Sequence, residues 1–169
     1  TMTSFSQTAP THKDIVYATV DGKELKLDLY IPAKPVTQGL LVWVHGGVHG
    51  NWGITMFPFI REAVERGYII ITPQYRGSTG FGAAHYNAID YGGKELDDVA
   101  SAVDYLKTLR HVDPDRLGIM GWSHGGFITA HLLFRDAHPF KGGAAIVPVT
   151  NLVFRLSYKG PGYQRSFAT

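Results

Sequence analysis

The chain contains no cysteine in its 169 residues, which excludes a scaffold held by disulfides. It has little excess charge of either sign: 16 Lys and Arg against 14 Asp and Glu leave a formal +2. Spread evenly along the chain, that balance is too small for a nucleic-acid or membrane-surface binder. No stretch approaches the ~20 consecutive apolar residues of a membrane span, and residues 1–14 show no basic stretch running into an apolar one. A cytoplasmic address is therefore expected, with no nucleic acid and no membrane among the partners. Internal repeats, low-complexity tracts and linker-like shifts in composition are also missing. What is present is 44% hydrophobic residues with 20 glycines. A chain of this length buries roughly 70% of the surface its unfolded form exposes, so the core needs no metal or disulfide staple. We expect one domain, or part of one, across residues 1–169.

The order of apolar segments points to a fold class. Asp14 to Val20 and Glu24 to Ile31 flank the turn dipeptide Asp21-Gly22, and Leu25, Leu27, Leu29 and Ile31 alternate with polar residues, as in an antiparallel hairpin with one wet face. Leu40 to Val44 and Tyr68 to Thr72 are short, continuously apolar runs bounded by Gly or Pro, expected of strands buried on both faces. Met56 to Arg66 between them reads as a short helix closed by Gly67. Gly93 to Arg110 is the clearest helix: Leu96, Val99, Val103 and Leu106 share a face, and Glu95, Asp97 and Asp98 sit in the first turn, where the helix dipole favours anions. Asp113-Pro114-Asp115 is expected to stop it. Leu117 to Met120 then reads as a strand, Ser123 to Arg135 as a helix and Ala144 to Val147 as a further strand. Strands alternating with helices predict an α/β fold, a mostly parallel sheet covered on both faces, made mixed by the N-terminal hairpin.

Gly121-Trp122-Ser123-His124-Gly125-Gly126 falls between a buried strand and an amphipathic helix. In that context G-x-S-x-G has a mechanical meaning: the serine occupies a strained turn, and Gly121, Gly125 and Gly126 stand where side chains would collide with backbone. The amide that follows the serine opens a helix and is placed to stabilise a developing oxyanion. The bland alternative, Ser123 as a helix cap, explains none of the glycines. Independently, His45-Gly46-Gly47 follows the buried strand ending at Val44, with Gly50 just beyond. Glycines there let backbone N–H groups approach a ligand oxygen, the second half of an oxyanion hole.

These segments together resemble a known family. Val42-Trp43-Val44-His45-Gly46-Gly47, Tyr75-Arg76-Gly77-Ser78-Thr79-Gly80-Phe81-Gly82, Glu95 with Asp97-Asp98, and Val112-Asp113-Pro114-Asp115-Arg116-Leu117-Gly118 leading into the serine motif look like the catalytic domain of prolyl-oligopeptidase-type α/β-hydrolases. The resemblance covers roughly residues 40–149. It implies the α/β-hydrolase fold, Ser123 as nucleophile, an oxyanion hole from the backbone of Gly47 and His124, a structural role for Arg76, and no cofactor. In several peptidases of that family a tyrosine hydroxyl stands where His45 stands here, so the chain resembles the acylaminoacyl-peptidase and esterase branches more than the prolyl-cleaving ones. Family peptidases usually carry a propeller ahead of the hydrolase, whereas here the hairpin begins almost at once, as in small bacterial carboxylesterases. That predicts a carboxylesterase acting on small-molecule esters. The alternative is a serine peptidase of the prolyl-oligopeptidase or acylaminoacyl-peptidase type.

In this fold a Ser-acid-His triad runs in that chain order, the last two after later strands. Only 46 of the 169 residues follow Ser123. We therefore expect an N-terminal portion of the hydrolase, truncated after about the sixth strand, with acid and base on a missing C-terminal segment. Residues 150–169, with Phe154, Tyr158, Tyr163 and Phe167, read as the start of a cap or insertion. His124, His131 and His138 are spaced by seven, but the outer two would lie ~21 Å apart on an unbroken helix and cannot converge. They are expected to be helix-surface or interdomain packing residues. His45 and His49 lack a third ligand at metal spacing, so no metal is expected. Glu95, Asp97, Asp98 and Asp104 are explained by dipole and solvent-face roles, and Tyr75 and Arg76 could line the site. A silent domain, associating through an open sheet edge with a second chain or a second copy, is the non-enzymatic alternative.

Overall fold

The computed structural model describes residues 10–20, 22–31, 38–53 and 56–167. Asp21, half of the expected turn dipeptide, lies outside them, as do Ala168 and Thr169. The alternating leucines do what a period of two requires: in β2 (Lys23–Tyr30), Leu25, Leu27 and Leu29 all point into the core. β1 (His12–Val20) pairs with it antiparallel and keeps its outer face wet. The other edge of β2 runs antiparallel to β4 (Ile69–Gln74), every residue of which is buried. The continuously apolar run that ends β3 (Gln38–Val44) lies parallel to β4 on one side and to β5 (Val112–Trp122) on the other. β6 (Gly142–Ile146) adds to β5 in parallel, giving one mixed six-stranded sheet in the order β1-β2-β4-β3-β5-β6. The α/β expectation, with its antiparallel opening, therefore holds.

Parallel neighbours need crossovers, and helices supply them. α1 (Phe57–Glu65) links β3 to β4, α2 (Ala83–Tyr86) and α3 (Lys94–Leu106) link β4 to β5, and α4 (His124–Leu133) links β5 to β6. The pleat of β3 divides the core between the two faces of the sheet: Leu40, Val42 and Val44 pack with Val99, Leu106, Phe127 and Ile128 from α3 and α4, while Trp43 packs with Tyr30, Ile60, Val64 and Ile70 beneath α1. Among the described residues no helix is long and apolar enough to cross a membrane.

Several boundaries differ from expectation for local reasons. α3 ends at Leu106, short of Arg110, where the Thr108 hydroxyl donates to the Tyr105 carbonyl at 2.6 Å and competes with helical bonding. Asp113-Pro114-Asp115, expected as the helix stop, lies inside β5, at an irregular stretch where the pairing with β3 shifts register. β6 ends before Val147, whose φ of 41° takes the chain out of extended conformation. Ser123 lies outside α4. Beyond β6, α5 (Leu152–Ser157) is capped by the Asn151 side chain, which accepts from Phe154 N at 2.8 Å. It is tied to α6 (Pro161–Phe167) by Gln164, whose Nε2 donates to the Leu156 carbonyl at 2.9 Å.

Arg76 and Asp98 join the loop after β4 to α3. The guanidinium donates from Nε at 2.8 Å and from Nη2 at 2.7 Å to the two carboxylate oxygens, and the Arg76 backbone N–H adds a third bond at 2.9 Å. The Asp98 carbonyl in turn accepts from Tyr17 Oη at 2.9 Å, fastening β1 to the same helix. Both charges are sealed from water, so removing one partner is costly even though the pair itself is worth little. Asp98→Ala is expected to lower unfolding free energy by about 3–5 kcal/mol in chemical denaturation, against less than ~1 kcal/mol for Ala at the exposed Asp97, paired with Arg135.

Candidate active site at the end of β5

Ser123 fills the single position between β5 and α4, with φ 56° and ψ −110°. A serine rarely adopts such angles, and the neighbours over-determine them. Its N–H donates to the Ile146 carbonyl at 3.0 Å, and its carbonyl accepts from Phe127 N at 2.9 Å. The motif glycines make that turn possible through close approach. A Cβ on Gly121 would stand 2.2 Å from the Gly125 carbonyl oxygen, one on Gly125 would stand 2.2 Å from that of Val44, and one on Gly126 would stand 2.8 Å from that of Ile146. The sharp strand-turn-helix geometry expected of G-x-S-x-G is thus present.

The glycine loop after β3 lies against this turn. A Cβ on Gly46 would meet the Trp122 carbonyl oxygen at 2.8 Å and Ser123 Cβ at 3.6 Å. Gly47 takes φ 77°, which only glycine adopts freely. The N–H of His124 is the first of α4, a group with no partner inside the helix and at the positive end of its dipole. Gly46, Gly47, Gly121, Ser123, His124, Gly125 and Gly126 are therefore gathered where β3 and β5 end.

Tyr75 holds the loop from below. The sequence suggests that it lines the site, but it is wholly buried: its hydroxyl sits 2.8 Å from the Gly47 carbonyl, to which it donates, and its ring stacks on His45 at 4.3 Å. The Tyr75 carbonyl accepts from Ser78 Oγ at 2.6 Å and from His85 Nε2 at 2.9 Å. His85, unassigned on sequence grounds, is thus a structural prop. His45 Nε2 lies 2.9 Å from Ser78 Oγ, and burial pushes the imidazole down to about 4, so the ring is neutral and engaged away from solvent. His49 takes no new role either: its Nδ1 bonds the Gly77 carbonyl at 3.0 Å and its ring stacks on Tyr86. Among the described residues no three His, Asp or Glu side chains converge where a metal ion could sit.

Two expectations about charged residues are corrected. Glu95 and Asp98 are not on a solvent face: both are sealed in the core, Asp98 by Arg76 and Glu95 beside His124, whose Nε2 is 3.6 Å from Glu95 Oε1. His131 and His138 are exposed as expected, whereas His124 is buried. A signal was available: Glu95, Asp98, Val99, Ala102 and Leu106 fall at helical spacing on one stripe.

With this geometry in hand, comparison with known proteins decides the family. The sequence profile of the prolyl oligopeptidase family matches residues 55–164. The chain belongs to the prolyl oligopeptidase family. Within that family, it is 42% identical over 147 residues to the uncharacterized peptidase YuxL of Bacillus subtilis, covering 83% of this chain and 22% of that protein. It is 29% identical over 152 residues to the human acylamino-acid-releasing enzyme, covering 89% of this chain and 21% of the enzyme. The crystal structure of puromycin hydrolase superposes with a TM-score of 0.81 over 95% of this chain and 26% of that one, at 22% identity, a likeness of fold. The chain spans about a fifth of the length of the curated relatives it matches. Membership of a hydrolase family stands. The ester reading rests on where the hairpin begins, and a match to a fifth of its relatives carries no information on what precedes that hairpin.

The packing at Gly125 makes a direct prediction. Gly125→Ala places a Cβ against two backbone carbonyls, Val44 at 2.2 Å and His45 at 2.6 Å, that cannot move without shifting β3. A loss of about 3 kcal/mol or more is expected in thermal or chemical denaturation, against less than ~0.5 kcal/mol for Gly142→Ala in β6. Gly142 has open space where the Cβ would go.

Proposed function

We infer that this chain carries the nucleophile-bearing part of a serine peptidase of the acylaminoacyl-peptidase type. Ser123 Oγ attacks the carbonyl carbon of an acylated N-terminal residue's peptide bond. The amides of Gly47 and His124 receive the oxyanion. Collapse of the tetrahedral intermediate expels the amine and leaves an acyl-enzyme, which water then cleaves. Proton transfer to and from Ser123 needs a histidine held by a carboxylate, and in this fold both follow later strands than β6. The reading assigns them to sequence C-terminal to residue 169, and it needs no cofactor.

The observation that carries the reading is the strained φ of 56° at Ser123, with the Gly46-Gly47 loop packed against it. Strain of about 1–3 kcal/mol at a serine is maintained where it exposes a reacting oxygen, and a helix cap would not need it. Peptide bonds are preferred to esters as the substrate because two relatives, at 42% and 29% identity, are named as a peptidase and an acylamino-acid-releasing enzyme.

The test compares an acylaminoacyl anilide with a short-chain aryl ester in the full-length protein. Ser123→Ala is expected to reduce kcat on the anilide by at least ~10³-fold without loss of fold. An unimpaired Ser123→Ala protein removes the serine mechanism, and turnover of the ester with none of the anilide removes the peptidase assignment.

A further inference from the structure

A buried polar ring stands next to the elbow with nothing to bond to: neither nitrogen of His124 has a hydrogen-bond partner among the described residues. Aromatic rings box it in, with Phe127 stacked at 5.4 Å, Tyr91 edge-on at 4.7 Å and Tyr75 tilted at 5.7 Å. The polar group facing it is Glu95, whose Oε1 lies 3.6 Å from Nε2, both side chains being sealed from water. Glu95 is itself fixed, since the backbone N–H of Gly92 donates to Oε1 and that of Gly93 to Oε2 at 3.1 Å. A buried imidazole with two unmatched nitrogens is uncommon and calls for an explanation.

Charge supplies one. Burial pushes the Glu95 carboxyl up to about 7. Burial, then the neighbouring His45 and His49, pushes the His124 imidazole down to about 3. Two groups that each resist charging are complementary when neutral, because a carboxyl O–H donates and an unprotonated imidazole nitrogen accepts. The remaining titratable neighbours do not supply a compensating cation. The nearby Asp90, exposed, disfavours ionisation of Glu95, and burial raises the pKa of the Tyr75 and Tyr91 hydroxyls.

We propose that Glu95 is a positioning residue for the elbow: the 3.6 Å gap to His124 Nε2 closes to a hydrogen bond donated by the protonated Glu95 carboxyl, and this contact holds the first residue of α4, with the backbone amide beside Ser123, in place. The proton stays on Glu95 oxygen, the ring keeps its hydrogen on Nδ1, and no net charge enters the core. The inference rests on the reading of Ser123 as nucleophile and the His124 amide as oxyanion donor. Because the folded-state titration of Glu95 is raised, the contact is present below about 7 and is lost as pH rises through it.

The first readout needs no turnover. Imidazole nitrogen shifts of His124, followed by long-range proton–nitrogen NMR from about pH 5 to about pH 9, are expected to report a ring that stays neutral throughout. The Nε2 resonance should move only with Glu95, near pH 7. Glu95→Gln, whose carboxamide still donates but cannot titrate, should abolish that movement, and Asp90→Asn should keep it with its midpoint at lower pH. The second readout is kcat of the full-length protein on the acylaminoacyl anilide. Glu95→Ala is expected to lower kcat about 10-fold with KM unchanged, and Glu95→Gln to restore it to within about 2-fold of wild type.

A His124 ring that protonates with its own midpoint in this range, a pH response that vanishes in Asp90→Asn, or a Glu95→Gln protein as impaired as Glu95→Ala would each overturn the proposal. Should Glu95→Ala fail to fold, the wild-type and Glu95→Gln titrations still decide it. A wild-type protein without serine-dependent turnover would sink the peptidase reading instead, a result separate from any NMR outcome.

Discussion

The architecture depends on one close contact between backbones, where the turn after β5 presses on the end of β3. Gly125 brings the first turn of α4 onto the carbonyls of Val44 and His45 with no room for a single methyl group. Gly46 returns the contact from the other side, against the Trp122 carbonyl. Because β3 and β5 are adjacent and parallel, their C-terminal ends must coincide, and this contact makes two loops meet at one point. The strained conformation of Ser123 follows from it, since a chain that has to leave a strand and enter a helix within one residue has few alternatives.

Buried ionisable groups are handled around that point in three ways. Arg76 and Asp98 are both charged and saturate each other through bidentate bonds, a pairing that fixes the loop after β4 against α3. His45 is kept neutral by burial and ties its ring to Ser78 and Tyr75. Glu95 and His124 are each pushed toward neutrality without an ion pair forming, and His124 is the residue that follows the serine. The glycine loop inherits its order from these groups: Tyr75 anchors the Gly47 carbonyl, and the Tyr75 carbonyl is anchored by Ser78 and His85. A long-range network of this kind joins segments far apart in the chain, and no local pattern announces it.

Legibility in the sequence tracks how local the cause is. The alternating leucines of β2, the apolar runs of β3 and β4 and the glycines around Ser123 each act within a few residues, and each is readable in one dimension. The end of α3 is not, because a proline-containing segment looks like the stop while the Thr108 hydroxyl has already turned the chain. Tyr75, Glu95 and the His124 side chain read as site lining, helix-dipole partner and helix-surface or interdomain packing residue, and all three are buried. Polar side chains are assigned to solvent by default, and only a partner or a seal brought by another segment overrules that default.

By itself the sequence determined the succession of the six strands and the three longest helices, the turn that carries Ser123 and the family to which the chain belongs. Periodicity and glycine placement are local constraints on φ, ψ and side-chain direction, so they survive in one dimension. The tertiary structure alone decided which polar groups lose water. Arg76 meeting Asp98, Tyr75 reaching beneath Gly47, and Glu95 facing His124 arise when α3, α4 and the loops after β3 and β4 converge on one end of the sheet. Desolvation is a property of that enclosure, to which segments distant in the chain each contribute a wall.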